Sequence, residues 1–195
     1  NKALALVEPL ASLSGKQNLH DINALAESGL LSLHLEDRTE EIVAPPFLPL
    51  SGIGFGHKIA TDMIAAILKS KMQNKLIHHK LYLYESTLEL FQPFWPKKDR
   101  AAKRSRFLHN GLFPCYNLYR LKDGNYAALA AVEEKFWTRF CEIMKLEVDA
   151  KRRFDPNDKD LFTLLSKTFQ RLSSEELLKM TNDQELCLSL VEKIR

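Results

Sequence analysis

Two apolar segments separated by an Asp-Gly turn constrain this chain more than any other stretch. Cys115-Tyr116-Asn117-Leu118-Tyr119-Arg120-Leu121 and Tyr126-Ala127-Ala128-Leu129-Ala130-Ala131-Val132 flank Lys122-Asp123-Gly124-Asn125. Residues that accept positive φ between two such runs predict an antiparallel hairpin. Glu133 stands where the second strand passes into a helix, and Phe136, Phe140 and Met144 recur every four residues as its buried row. Glu133 itself is either a helix N-terminal carboxylate favoured by the dipole or an acid available for catalysis. A further helix is predicted from Asp160 to Arg171, and another from Ser173 or Ser174 with Glu176 or Glu175 placed for capping. The apolar run Leu186 to Val191 then reads as a last strand. With a buried strand at Ala3 to Val7 and an alternating one from Leu76 to Tyr84, strands and helices interleave, which predicts an α/β fold.

Near the start, Leu19-His20-Asp21-Ile22-Asn23-Ala24-Leu25-Ala26-Glu27-Ser28-Gly29 reads as a two-turn helix. Asp21 is the expected N-cap, Leu25 carries the apolar face and Gly29 is the stop. His20 then lies just outside the first turn, either as a loop histidine without a task or as a group placed to meet a ligand. Gly52, Gly54 and Gly56 form a flexible stretch after the proline-rich Ala44 to Pro49. A helix follows with Ile59, Met63 and Ile67 on one row and Ala60, Ile64 and Leu68 on the next, a stripe expected to face the core. Glycine followed by helix is either a phosphate-binding layout or a glycine turn for close packing, and the spacing matches neither the P-loop nor the dinucleotide fingerprint. His78 and His79 are adjacent on the predicted strand, so they point to opposite faces and no shared metal is expected. Ser86 is expected to cap a short helix ending at Phe91, with a hinge at Gln92 to Pro96.

Charge and composition exclude several classes. The 195 residues carry 28 Lys+Arg against 25 Asp+Glu, a net charge of +3, which is too balanced to argue for nucleic acid. Lys97 to Arg106 holds six positive charges, either a solvated connector or a phosphate-binding segment, but no aromatic residues are interleaved with it. No apolar run approaches membrane-spanning length and no signal-peptide pattern opens the chain. Cys115, Cys141 and Cys187 are odd in number and lack metal-ligand spacing, which predicts reduced thiols and a cytoplasmic protein. Apolar strands at both ends suggest that ordered sequence lies beyond them.

In this order the segments resemble the family III CoA-transferases. The matching residues are His20-Asp21-Ile22-Asn23 with Gly29, Pro45-Pro46 before the glycines at 52 to 56, Pro114-Cys115-Tyr116-Asn117-Leu118-Tyr119 with Lys122-Asp123-Gly124, Tyr126 to Trp137 with Glu133, and the Cys187 region. The resemblance implies the central part of that family's α/β fold, with part of a Rossmann-like large domain and connecting helices at residues 1–95, a smaller α/β domain at 96–195, and an interlocked homodimer. It also implies an enzyme that transfers CoA between carboxylic acids or racemises a 2-methylacyl-CoA. Its partners would be acyl-CoA and a small carboxylic acid, with neither nucleic acid nor membrane. Coenzyme A would serve as substrate or carrier, with no tightly bound cofactor. Leu19, His20, Asp21, Asn23, Gly52, Gly54 and Gly56 would meet the CoA thioester, His20 would be a base and Glu133 would orient it. The aspartate that the family uses as second base or nucleophile falls at Gly52, and neither Asp37 nor Asp62 replaces it. A degenerate member that keeps fold and CoA binding is the alternative.

Overall fold

The computed structural model describes residues 4–15, 18–35, 38–91, 108–182, 184 and 186–193. The expected hinge at Gln92 to Pro96, the basic run at Lys97 to Arg106, Asp37 and the expected boundary at residue 95 lie outside them. The chain divides into two units, Asn1–Ala102 and Lys103–Arg195.

In the first unit, β1 (Ala5–Leu10) pairs in parallel with β2 (Ile77–Tyr82), from Ala5 opposite Ile77 to Leu10 opposite Tyr82. Parallel strands need a crossover, and it is supplied by α1 (Asp21–Ser28), α2 (Leu31–Leu35) and α3 (Leu50–Gln73). α3 lies along both strands and also touches α1 and α4 (Leu83–Phe91), and α4 follows β2 without a connecting turn. Ser70 ties the ends of this layer, since its Oγ accepts from the Leu4 amide at 3.0 Å and donates to the Lys75 carbonyl at 2.6 Å.

Four expectations for this unit are corrected. β1 is not buried throughout: Val7 is buried whereas Leu6 is 51% exposed, because two strands covered on one face by helices hide alternate residues only. The glycine stretch is not a loop, since Gly52, Gly54 and Gly56 lie within the first two turns of α3. The buried row of α3 is Ser51, Ala66 and Ser70, while Ile64 and Leu68 of the apolar stripe are 63% and 57% exposed. Small residues let the helix approach its neighbours closely, and of the bulky stripe only Ile59 and Met63 are half-buried. Ser86 lies inside α4 as a buried residue and is not a cap; Glu85 supplies the acidic group of that helix's first turn.

In the second unit, β3 (Tyr116–Arg120), β4 (Tyr126–Ala130) and β5 (Leu188–Leu190) form an antiparallel sheet in that order. Gly124 has φ 84°, as the Asp-Gly turn requires. α5 (Glu134–Met144), α6 (Lys159–Phe169) and α7 (Ser174–Thr181) follow, with a 3-10 segment at Ala150–Phe154. Phe140 and Met144 are buried as expected, but Trp137 is fully buried beside Phe140 and Phe136 is half-buried. The core continues through Tyr119, Leu129, Leu161, Leu165, Phe169 and Leu177, and Phe169 stacks on Tyr119 with ring centroids 4.7 Å apart. Ser173 caps α7 in the expected capping box with Glu176. All three cysteines are free, and burial pushes the Cys115 and Cys141 thiols up to about 11. Among the described residues no helix is long and apolar enough to cross a membrane.

Candidate functional site

At the carboxyl end of β1 the chain turns through Ser12, Leu13, Ser14 and Gly15, the last with φ 84°. Glu85, in the first turn of α4, shapes this loop: its Oε1 accepts from the Leu13 amide at 3.0 Å and the Ser12 hydroxyl at 3.3 Å. Its Oε2 is buried without a hydrogen-bond partner among the described residues. The loop opens onto a cavity of about 570 Å³ walled by Leu10, Ser12, Gly15, Leu19, Phe55 and Leu83. Ligands of α/β folds bind outside the carboxyl ends of parallel strands, and this cavity has that position and a suitable size.

Leu19 leads directly into α1. The structure makes His20 the N-cap, with extended backbone at φ −97° and ψ 176°, and makes Asp21 the first helical residue, so the helix begins one residue earlier than expected. Asn23 Oδ1 accepts from the His20 amide at 3.1 Å, and Gly29 ends the helix with φ 86° as predicted. His20 is exposed. Because Asp21 is not spent on capping its own helix, its carboxylate reaches across to α3, where Oδ1 accepts from the Gly52 amide at 2.6 Å. α3 has Pro49 at its N-cap with no side-chain cap, so this carboxylate satisfies a first-turn amide that would otherwise lack a partner. A Cβ at Gly52 would stand 3.6 Å from the same oxygen.

Leu19, His20, Asp21, Asn23 and Gly52 thus gather in the first unit. Gly54 is instead turned to α4, where a Cβ would collide with the Leu90 side chain, and Gly56 has open space beside it. Glu133 lies in the second unit, exposed at the N-cap of α5, and its carbonyl accepts from the Phe136 and Trp137 amides at 3.1 and 3.0 Å. Sequence reasoning missed Ser12, Phe55 and Glu85. The Ser-Leu-Ser-Gly that follows β1 was the available signal, since serine and glycine mark turns. His78 and His79 diverge, with Nε2 atoms 2.8 Å from Glu8 Oε2 and 3.1 Å from Asp62 Oδ2. Among the described residues no cluster of three or more His, Cys, Asp or Glu could hold a metal.

A sequence profile described as CoA-transferase family III matches residues 14–195. Human (Homo sapiens) alpha-methylacyl-CoA racemase is 29% identical over 133 residues, which is 67% of this chain and 35% of that protein. Among solved structures, Rv3272 from M. tuberculosis in its orthorhombic form superposes with a TM-score of 0.72 at 16% identity, covering 96% of this chain and 52% of that one. A CAIB/BAIF family protein from Brucella suis gives a TM-score of 0.68 at 13% identity, covering 97% and 51%. The chain therefore spans about half the length of these solved relatives and about a third of the racemase.

Proposed function

Because the chain belongs to CoA-transferase family III, we propose that it acts on acyl-CoA thioesters by proton chemistry at the carbon α to the carbonyl. The observation that carries this reading is the placement of His20. It is an exposed imidazole between Leu19, in the wall of the cavity, and Asp21, which is tied to α3. In this reading the acyl chain occupies the cavity and a neutral His20 takes the α proton. The C–H electron pair then delocalises onto the thioester oxygen as an enolate, and the protonated His20, after exchange with water, returns a proton to the α carbon and restores the thioester. The likeness to a 2-methylacyl-CoA racemase supports this over transfer of CoA between acids. Gly52 has no side chain, so residue 52 supplies neither the nucleophilic carboxylate of transfer nor a second base, and in this reading His20 carries the proton chemistry alone.

The same reading includes coenzyme A as substrate without a tightly bound cofactor, and CoA contacts from Leu19, Asp21, Asn23, Gly52, Gly54 and Gly56. It also includes a Rossmann-like large domain divided from a smaller one near residue 95, an interlocked homodimer and a cytoplasmic setting suited to free thiols. The test is incorporation of solvent deuterium at the α position of a 2-methylacyl-CoA. Wild-type protein is expected to exchange and His20→Ala to lose exchange; undiminished exchange in the variant removes His20 from the role. A labelled free acid is expected to enter acyl-CoA poorly, and ready entry would shift the reading to CoA transfer. Wild-type protein that does neither would be the non-catalytic member.

A further inference from the structure

We infer that Asp21 is the positioning residue of His20: its carboxylate locks the mouth of α1 onto the first turn of α3, and the bond from Gly52 N–H to Asp21 Oδ1 aims the imidazole. The inference deepens the reading above and rests on it for the role of His20, but its geometry stands independently. The link joins residues 31 apart in sequence at 2.6 Å, the short distance of a charge-assisted hydrogen bond. The carboxylate also sits at two helix N-termini at once, in the first turn of its own α1 and on a first-turn amide of α3, where both dipoles favour negative charge.

The backbone of His20 is therefore held on each side. Asn23 accepts from its own amide, and Asp21, the next residue, is anchored to a helix of 24 residues whose later turns lie along both strands. So short a helix is marginal without tertiary support, and the bond to α3 supplies it beside the capping box that His20 forms with Asn23. The bond uses the backbone of Gly52 alone, and a Cβ at that residue would stand in ordinary contact with the carboxylate at 3.6 Å.

Asp21→Ala removes the acceptor, and Asp21→Asn keeps an oxygen that can accept the same bond. Two readouts separate positioning from simple stability. The first is the ring NMR signals of His20, identified by their loss in His20→Ala and independent of turnover. They are expected to move and broaden in Asp21→Ala and to return near wild-type positions in Asp21→Asn. The second is deuterium incorporation, expected in Asp21→Ala to fall about tenfold or more in kcat, a larger factor than any rise in KM from the lost CoA contact, since a small misplacement of a base acts on the chemical step. Asp21→Asn should recover to within about threefold of wild type.

Unmoved His20 signals in folded Asp21→Ala would overturn the inference while leaving the acyl-CoA reading intact. Signals that move as expected in a protein that performs no exchange would sink the acyl-CoA reading and leave the positioning role standing. Should Asp21→Ala not fold, Gly52→Pro deletes the donor from the other side. Proline is tolerated in a first helical turn, so the same displacement of His20 is expected there, and its absence would overturn the inference.

Discussion

Asp123 lies in a hairpin turn, yet its carboxylate serves a helix 51 residues further on: Oδ2 accepts from the Ser174 amide at 2.8 Å, at the start of α7, and Oδ1 accepts from the Asn125 amide at 3.2 Å. Asp21 does the same for α3 in the other unit. In each case a carboxylate from elsewhere meets an otherwise orphaned helix amide, which neither helix sequence reveals. The bonds from Ser174, then those from Asn125, hold the Asp123 carboxyl down to about 2, against an ordinary 3.8. A depressed folded value contributes stability that is fully present above the unfolded value and is lost as the pH falls through the folded one. Between about pH 4 and pH 2, wild-type protein should therefore lose stability that Asp123→Asn does not lose. Asp158 and Glu176 are also held low, by Arg152 and by the Ser173 amide, so the readout is the difference between the two proteins. Thermal melts across this window in which both proteins fall in parallel would refute the role given to Asp123.

At the scale of elements, the contact between α3 and α4 rests on Gly54, because a Cβ there would collide with the Leu90 side chain. Leu90 is partly exposed and can rotate, so Gly54→Ala alone should change stability by less than about 1 kcal/mol, a gain in helix propensity offset by the displaced leucine. In a Leu90→Ala background the offset disappears, and the same substitution should stabilise by about 1 kcal/mol. Equal effects in both backgrounds, measured by denaturant unfolding, would show that the two residues do not meet. Gly54 also shows what was legible in the sequence. Three glycines within five residues argue locally against a helix, so α3 was expected to start after Gly56; only α4 and Asp21, distant in sequence, reveal why the helix tolerates them. The second unit was more legible because its signals are local: Asp123-Gly124 sets the turn and Ser173 with Glu176 starts α7. His20 beside a short helix could be read the same way. Its link through Asp21 to Gly52, and the cavity floored by Phe55, depend on tertiary contacts that no spacing rule contains.

At the scale of the whole chain, the units differ in what they bury. The second has its own core, with Trp137, Phe140, Leu161, Leu165, Phe169 and Leu177 at most 1% exposed. The first buries mainly small or polar groups such as Ala24, Ser51, Ala66 and Ser70, and leaves Leu4, Leu6, Ile64, Leu68 and Met72 to solvent. Buried apolar area drives folding, so the first unit gains less from it per residue ordered. The solved relatives are about twice as long, and an interlocked second copy, as proposed above, is one source of cover for that apolar surface. The 195-residue chain by itself is therefore expected to melt in two steps, the first unit before the second. With Trp95 replaced by Phe, Trp137 is the sole tryptophan and its fluorescence should follow only the upper step, while far-ultraviolet circular dichroism should record both. A single transition coincident by both probes would show that the units stabilise each other and that the exposed stripe of α3 does not weaken the first.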